Sequence, residues 1–179
     1  MPSSASAWLT TPLALPRSLR GWLTDDGSLT ARLKARCPDF AVQKLVSRVR
    51  PVNPDERGLA GLRGGRPGYV REVFLMCDGR PAIYAHSVAS VRAVQGAWRG
   101  LKRQGLKPLG ETLFVQRGIR RFPLSYRRLS PTHPLHRRLV RHFGHVSAPL
   151  WARRSLFLRA GAPLWVTEVF LPAVFELAP

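Results

Sequence analysis

Two charged residues stand where apolar side chains are expected, and chemistry would begin with them. Glu168 lies in WVTEVFLP, residues 165–172, which alternates as a β-strand. Val166, Glu168 and Phe170 fall on one face, and Thr167, Val169 and Leu171 on the other. A carboxylate in that position needs a cationic or hydrogen-bonded partner, or must be neutral, because an unpaired buried charge is costly. It closes a tract, 112–167, that holds eleven arginines and no Asp or Glu. Arg71 in YVREVFLMC mirrors it, sharing a face with Val73, Leu75 and Cys77 while Glu72, Phe74 and Met76 take the other. Such an arginine either makes a salt bridge across a sheet or offers its planar fork to an anion in a cavity.

Other reactive types are less suggestive. His133, His136, His142 and His145 cluster in sequence, but no carboxylate or cysteine joins them, so a solvated basic helix is the expectation rather than a metal site. The two cysteines, Cys37 and Cys77, make neither a disulfide framework nor a zinc quartet, and Cys77 reads as core, which fits a reducing compartment. There is no phosphate-cradling glycine loop and no Ser/His/Asp spacing.

The elements that must position these residues follow from local pattern. Met1–Pro16 reads as a loose lead-in and Arg17–Leu23 as a short helix. Asp26 or Ser28 caps a helix from about Leu29 to Arg36, which Pro38 stops. Phe40–Val49 alternates as a strand, and 50–68 is a long Pro/Gly-rich loop. Tyr69–Ala89 is a hairpin turning at Asp78-Gly79, and Trp151–Pro172 is a second one turning at Ala160-Gly161. Between them, Val91–Gln104 is helix-like, Leu109-Gly110 suggests backbone brought close to something, Leu113–Gln116 reads as a strand, and Pro134 opens a helix that Gly144 ends. Together these predict one α+β domain with a mostly antiparallel sheet.

At 179 residues and 45% hydrophobic, the chain can build a real core. Lys and Arg outnumber Asp and Glu by 29 to 10, a net +19, and such a surface attracts anions of several kinds: nucleic acid, anionic lipid or a small polyanion. No apolar run reaches transmembrane length.

WLTDDGSLTARL, VREVFLMCDGRPAIYAHSV, LKPLGETLF and WARRSLFLRAGAPLWVTEVFLP, taken in order over roughly residues 20–172, resemble the chorismate pyruvate-lyase family, which makes 4-hydroxybenzoate for ubiquinone. The resemblance implies a single-domain antiparallel sheet with helices packed on it and a small buried ligand cavity closed by flaps, with 50–68 as a flap. It places Arg71, Glu168, Leu109 and Leu29 around chorismate, Leu29 standing where some relatives have Met. It implies Arg71 on an anionic group, helped by the backbone N–H groups of Leu29 and Leu109, and Glu168 as general acid at the ether oxygen. It further implies no cofactor, product inhibition, a monomer and a cytoplasmic setting.

Two other classes compete with that reading. A non-catalytic module binding small aromatic acids would use the same fold, and a nucleic-acid binder would use the charge. Against the second, the aromatics fall mainly in buried strand patterns without a stacking platform. Incidental attraction to anionic membrane is expected from +19.

Overall fold

The computed structural model describes residues 8–11, 15–58, 61–62, 65–146 and 149–177. Seven strands form one antiparallel sheet: β1 (Phe40–Arg50), β2 (Gly68–Cys77), β3 (Arg80–Ser90), β4 (Ile119–Arg121), β5 (Ser125–Arg128), β6 (Trp151–Arg159) and β7 (Ala162–Phe170). Their order is β1-β2-β3-β7-β6-β4, with β5 also paired to β6. The two hairpins turn where expected. Asp78 and Gly79 have φ of 50° and 74°, and Ala160 and Gly161 have 46° and 74°, the left-handed pair that suits the right-handed twist of flanking strands.

Both faces of the sheet are covered, which is why its central strands read as nearly continuous apolar runs. On one face lie α1 (Arg17–Leu23) and α2 (Leu29–Lys34), burying Leu19, Trp22, Leu23 and Leu33 against Val73, Leu75 and Phe170. Beside them α3 (Val91–Gln95) and α4 (Leu109–Val115) bury Val94, Leu109 and Leu113 with Phe157, Leu164 and Val166. On the opposite face α5 (Pro134–Phe143) packs Leu135 and Leu139 on Phe74, Tyr84 and Val169.

Several expectations change. Leu113–Gln116 is not a strand: Leu109 and Leu113, four apart, are the buried face of α4. The helical stretch expected over Val91–Gln104 breaks at Gly96, whose φ and ψ of −108° and −110° end α3 before a 3-10 turn over Arg99–Arg103. The lead-in is partly tied down: Trp8 donates to Asp55, Leu9 bridges to Tyr126, and Leu15 is buried, while 1–7 and 12–14 lie outside the described residues.

The cysteines are corrected too. Cys37, just past α2, and Cys77, ending β2, form a buried disulfide with Cα atoms 5.3 Å apart. The expectation of two unpaired thiols failed because sequence carries no distance between a helix end and a strand end forty residues away.

Candidate active site

Between the two apolar clusters on the α1/α2/α4 face, the sheet carries polar side chains around a largely enclosed cavity. Cross-strand register explains their arrangement. One row runs Arg71, Ser87, Val166, Ser155 across β2, β3, β7 and β6. The next runs Val73, Ala85, Glu168, Arg153. Arg71 and Glu168 therefore sit two strands and one row apart. With strands about 4.8 Å apart and about 6.7 Å between rows, their Cα atoms are roughly 12 Å apart. Thr30 of α2, Leu109, Gly110, Leu113 and Phe114 of α4, and Arg121 of β4 also line it.

Arg71 is almost fully buried and makes no ion pair among the described residues. Its Nη2 donates to the carbonyls of Gly105 (3.2 Å) and Lys107 (3.0 Å), in the turn leading to α4. Burial pushes its pKa below the ordinary arginine value, opposed by Tyr69, yet a guanidinium stays charged over the physiological range. The cavity thus contains a cation that no side chain among the described residues pairs with directly.

Glu168 has the cationic partner its position demanded. Arg153 Nε donates to Glu168 Oε2 at 2.5 Å. Arg153 is 1% exposed, and its Nη1 also donates to the carbonyls of Trp22 (3.1 Å) and Asp25 (2.6 Å), just after α1. A fully buried arginine is tolerable only with such multiple acceptors. Arg121 Nε donates to Ser155 Oγ at 3.2 Å, its Nη1 to the Asp26 carbonyl, and its guanidinium lies over the rings of Phe114 and Phe157. Burial first, then the like charge of Arg153, depresses the Arg121 pKa. Three guanidiniums and one carboxylate line the cavity, an excess of two positive charges.

Leu29 and Leu109 are the first residues of α2 and α4, so their N–H groups have no acceptor within their own helices. The Leu109 side chain lines the cavity, whereas that of Leu29 packs in the core with Trp22 and Leu33, and Thr30 faces the cavity instead. Any ligand contact by Leu29 is therefore through its backbone. Ser28 caps α2 by accepting from Ala31 N, and Gly110 lies so close that a Cβ there would meet Thr30 Oγ1 at 2.7 Å. The close backbone approach expected at Leu109-Gly110 is this abutment of two helix starts above the cavity.

None of the described residues of 50–68, the stretch expected as a flap, lines the cavity. Asn53 and Glu56 of that stretch are held on the opposite face. Glu56 Oε1 lies 2.9 Å from His86 Nε2, and Glu72 Oε1 lies 3.0 Å from His86 Nδ1. Arg138 of α5 bridges Glu72 and Asn53. The cover is made by α2 and α4. Of the histidines, His133 caps α5 by accepting from Leu135 N and His142 packs on Phe74. Among the described residues, no three His, Cys, Asp or Glu are grouped to hold a metal ion.

Arg153 and Arg121 were missed from sequence. A signal for Arg153 existed: a two-residue turn at Ala160-Gly161 pairs Arg159 with Ala162, and counting back along the hairpin puts Arg153 opposite Glu168. None existed for Arg121, whose place depends on β4 pairing with β6.

The chorismate lyase family model matches residues 1–178. A protein of Thiobacillus denitrificans named probable chorismate pyruvate-lyase is 46% identical over 167 residues, 93% of this chain and 89% of the relative. One of the same name from Nitrosomonas europaea is 42% identical over 171 residues, 96% of each. Among solved structures, the C-terminal domain of PhnF matches with TM-score 0.55 and 17% identity, over 78% of this chain and 86% of that one. A GntR-family transcriptional regulator from Bacillus cereus matches at TM-score 0.53 and 10% identity, over 78% and 96%. These two share the fold alone. A family match over nearly the whole length, with relatives at this identity, means that the chain belongs to the chorismate lyase family.

Proposed function

We propose that the chain is a chorismate pyruvate-lyase that eliminates pyruvate from chorismate to give 4-hydroxybenzoate. The supporting observation is the charge of the cavity. Chorismate is a dicarboxylate, and a site lined by Arg71, Arg121, Arg153 and Glu168 carries an excess of two positive charges. Ligand and site together are neutral, which offsets the cost of removing both from water.

The reaction balances without an oxidant or reductant. The ether C–O bond to the enolpyruvyl group breaks, and the neighbouring hydroxyl-bearing ring carbon loses its hydrogen as a proton. A proton added to the enolpyruvate methylene completes pyruvate. The ring becomes aromatic, and the phenol oxygen is the substrate's own hydroxyl oxygen. In this scheme Arg71 holds the ring carboxylate with the backbone N–H groups of Leu109 and Leu29. Glu168, roughly 12 Å away by backbone register, meets the reacting end of the ring. Paired with Arg153, it accepts the ring proton rather than acting as the general acid expected from the family resemblance. The Arg121 and Arg153 guanidiniums face the enolpyruvyl carboxylate and stabilise charge on the departing oxygen.

A closed cover of α2 and α4 accounts for the slow product release and product inhibition expected of such a site. The same reading makes the chain a monomer supplying 4-hydroxybenzoate to ubiquinone biosynthesis from the cytoplasm. No helix among the described residues is long and apolar enough to cross a membrane. Purified protein incubated with chorismate should release 4-hydroxybenzoate and pyruvate in equal amounts. Tight binding of 4-hydroxybenzoate without turnover would instead make it a binding module, and the absence of both turnover and binding would overturn the assignment to this cavity.

A further inference from the structure

A second concave site lies on the outer side of α4. Arg99 and Arg103, on the 3-10 turn after α3, and Lys107, in the following turn, line one groove with Arg159 from the end of β6. No Asp or Glu among the described residues lines it. Arg159 donates to Gln116 Oε1 at 2.8 Å, and among the described residues none of the four cations is paired with a carboxylate. Glu111, on the same helix, is already taken by Lys34.

Four cations around one groove repel one another, so the arrangement is more stable when an anion lies between them. The neutral side chains that line the same groove are already bonded within it: Gln104 to Thr112 and to the Pro108 carbonyl, and Gln116 to Arg159. This differs from the general positive charge of the surface. On α5, Arg137 spends its guanidinium on the Thr132 carbonyl and Arg138 on Glu72 and Asn53. The groove also shares a wall with the enclosed cavity: Leu109 lines both, and the carbonyl of Lys107 accepts from Arg71.

We propose that this groove is a second ligand site, for an anion that presents several negative charges on phosphate. A monocarboxylate would offset one of the four cations, whereas neighbouring phosphate groups match their number and suit arginine forks. The chemistry is shared by a free di- or polyphosphate and by the headgroups of an anionic lipid surface. It does not depend on the lyase reading.

The test is titration calorimetry with inorganic pyrophosphate, and co-sedimentation with phosphatidylglycerol vesicles, both at fixed ionic strength. Wild type is compared with Arg103→Glu/Lys107→Glu and with Arg137→Glu/Arg141→Glu, which makes the same charge change on α5. Arg99→Gln/Arg159→Gln is a milder second groove variant, and unfolding midpoints check that each variant folds. Pyrophosphate should bind at one site, with affinity falling about tenfold or more in both groove variants and by no more than about twofold in the α5 variant. Vesicle binding that depends on the groove, without a pyrophosphate site, would support the same site with lipid as the source. Equal losses in groove and α5 variants, or no binding of either probe, would overturn it.

Discussion

Arg153 and Glu168 face each other as directly paired residues of β6 and β7, with Arg153 Nε 2.5 Å from Glu168 Oε2. The pair does two things at once. It satisfies a fully buried guanidinium, and it aims a carboxylate into the cavity from a fixed backbone position. Because Arg153 also binds the carbonyls of Trp22 and Asp25, the reacting end of the site is tied to the chain that enters α2.

Replacing Glu168 with Gln should therefore preserve the fold and lower turnover by about 10²–10⁴-fold, the usual contribution of a positioned proton-transfer group. Arg153→Met should cost more stability, because it leaves the Trp22 and Asp25 carbonyls without their donor and Glu168 without its cation. Single-turnover kinetics and unfolding midpoints check both. A Glu168→Gln enzyme with the wild-type rate would remove Glu168 from the reaction.

Arg71→Ala removes a cavity guanidinium that makes no ion pair among the described residues. Binding of 4-hydroxybenzoate should weaken by about 1.5–3 kcal/mol, the loss typical of a charge-assisted hydrogen bond. The turn at Gly105–Lys107 should also loosen, seen as faster amide exchange near α4, because both its carbonyls lose a donor. Unchanged product affinity by calorimetry would show that Arg71 holds the turn and not the ligand.

On the opposite face the His86 network gives a pH signature. Burial alone would lower the His86 pKa, but the carboxylates of Glu56 and Glu72 outweigh it and raise it to about 9. Its unfolded value is near 6.5, so its stabilising contribution is complete below about 6.5 and is lost as pH rises through about 9. Glu56→Gln should thus cost most stability near pH 6 and progressively less toward pH 9. Urea unfolding of both proteins across that range measures the difference, and a gap independent of pH would mean that His86 is not the titrating group.

Cys37 and Cys77 close a loop with a sequence separation of 40 residues. Chain-entropy arguments give such a link about 4 kcal/mol of stability. Reduction, or Cys37→Ser, should lower the unfolding midpoint accordingly. Alkylation of denatured protein without reductant should modify neither cysteine, and two modified thiols would show the pair open, as in a reducing cytoplasm.

What sequence alone determined is local. The alternation of β2 and β7 placed Arg71 and Glu168 on defined strand faces, and the turns at Asp78-Gly79 and Ala160-Gly161 set both hairpins, because side-chain direction in a strand has period two and tight turns need left-handed residues. It also showed that Glu168 required either a partner or a proton, since burial of a charge has a cost wherever it occurs. Tertiary structure decided which groups meet. Arg121 is one of eleven arginines in an acid-free tract, and nothing local distinguishes it until β4 pairs with β6. The Cys37–Cys77 link, the inward turn of Thr30 in place of Leu29, and the docking of Asn53 and Glu56 away from the cavity depend on the same kind of contact. Each joins segments distant in sequence, and only the path of the chain through the fold brings them together.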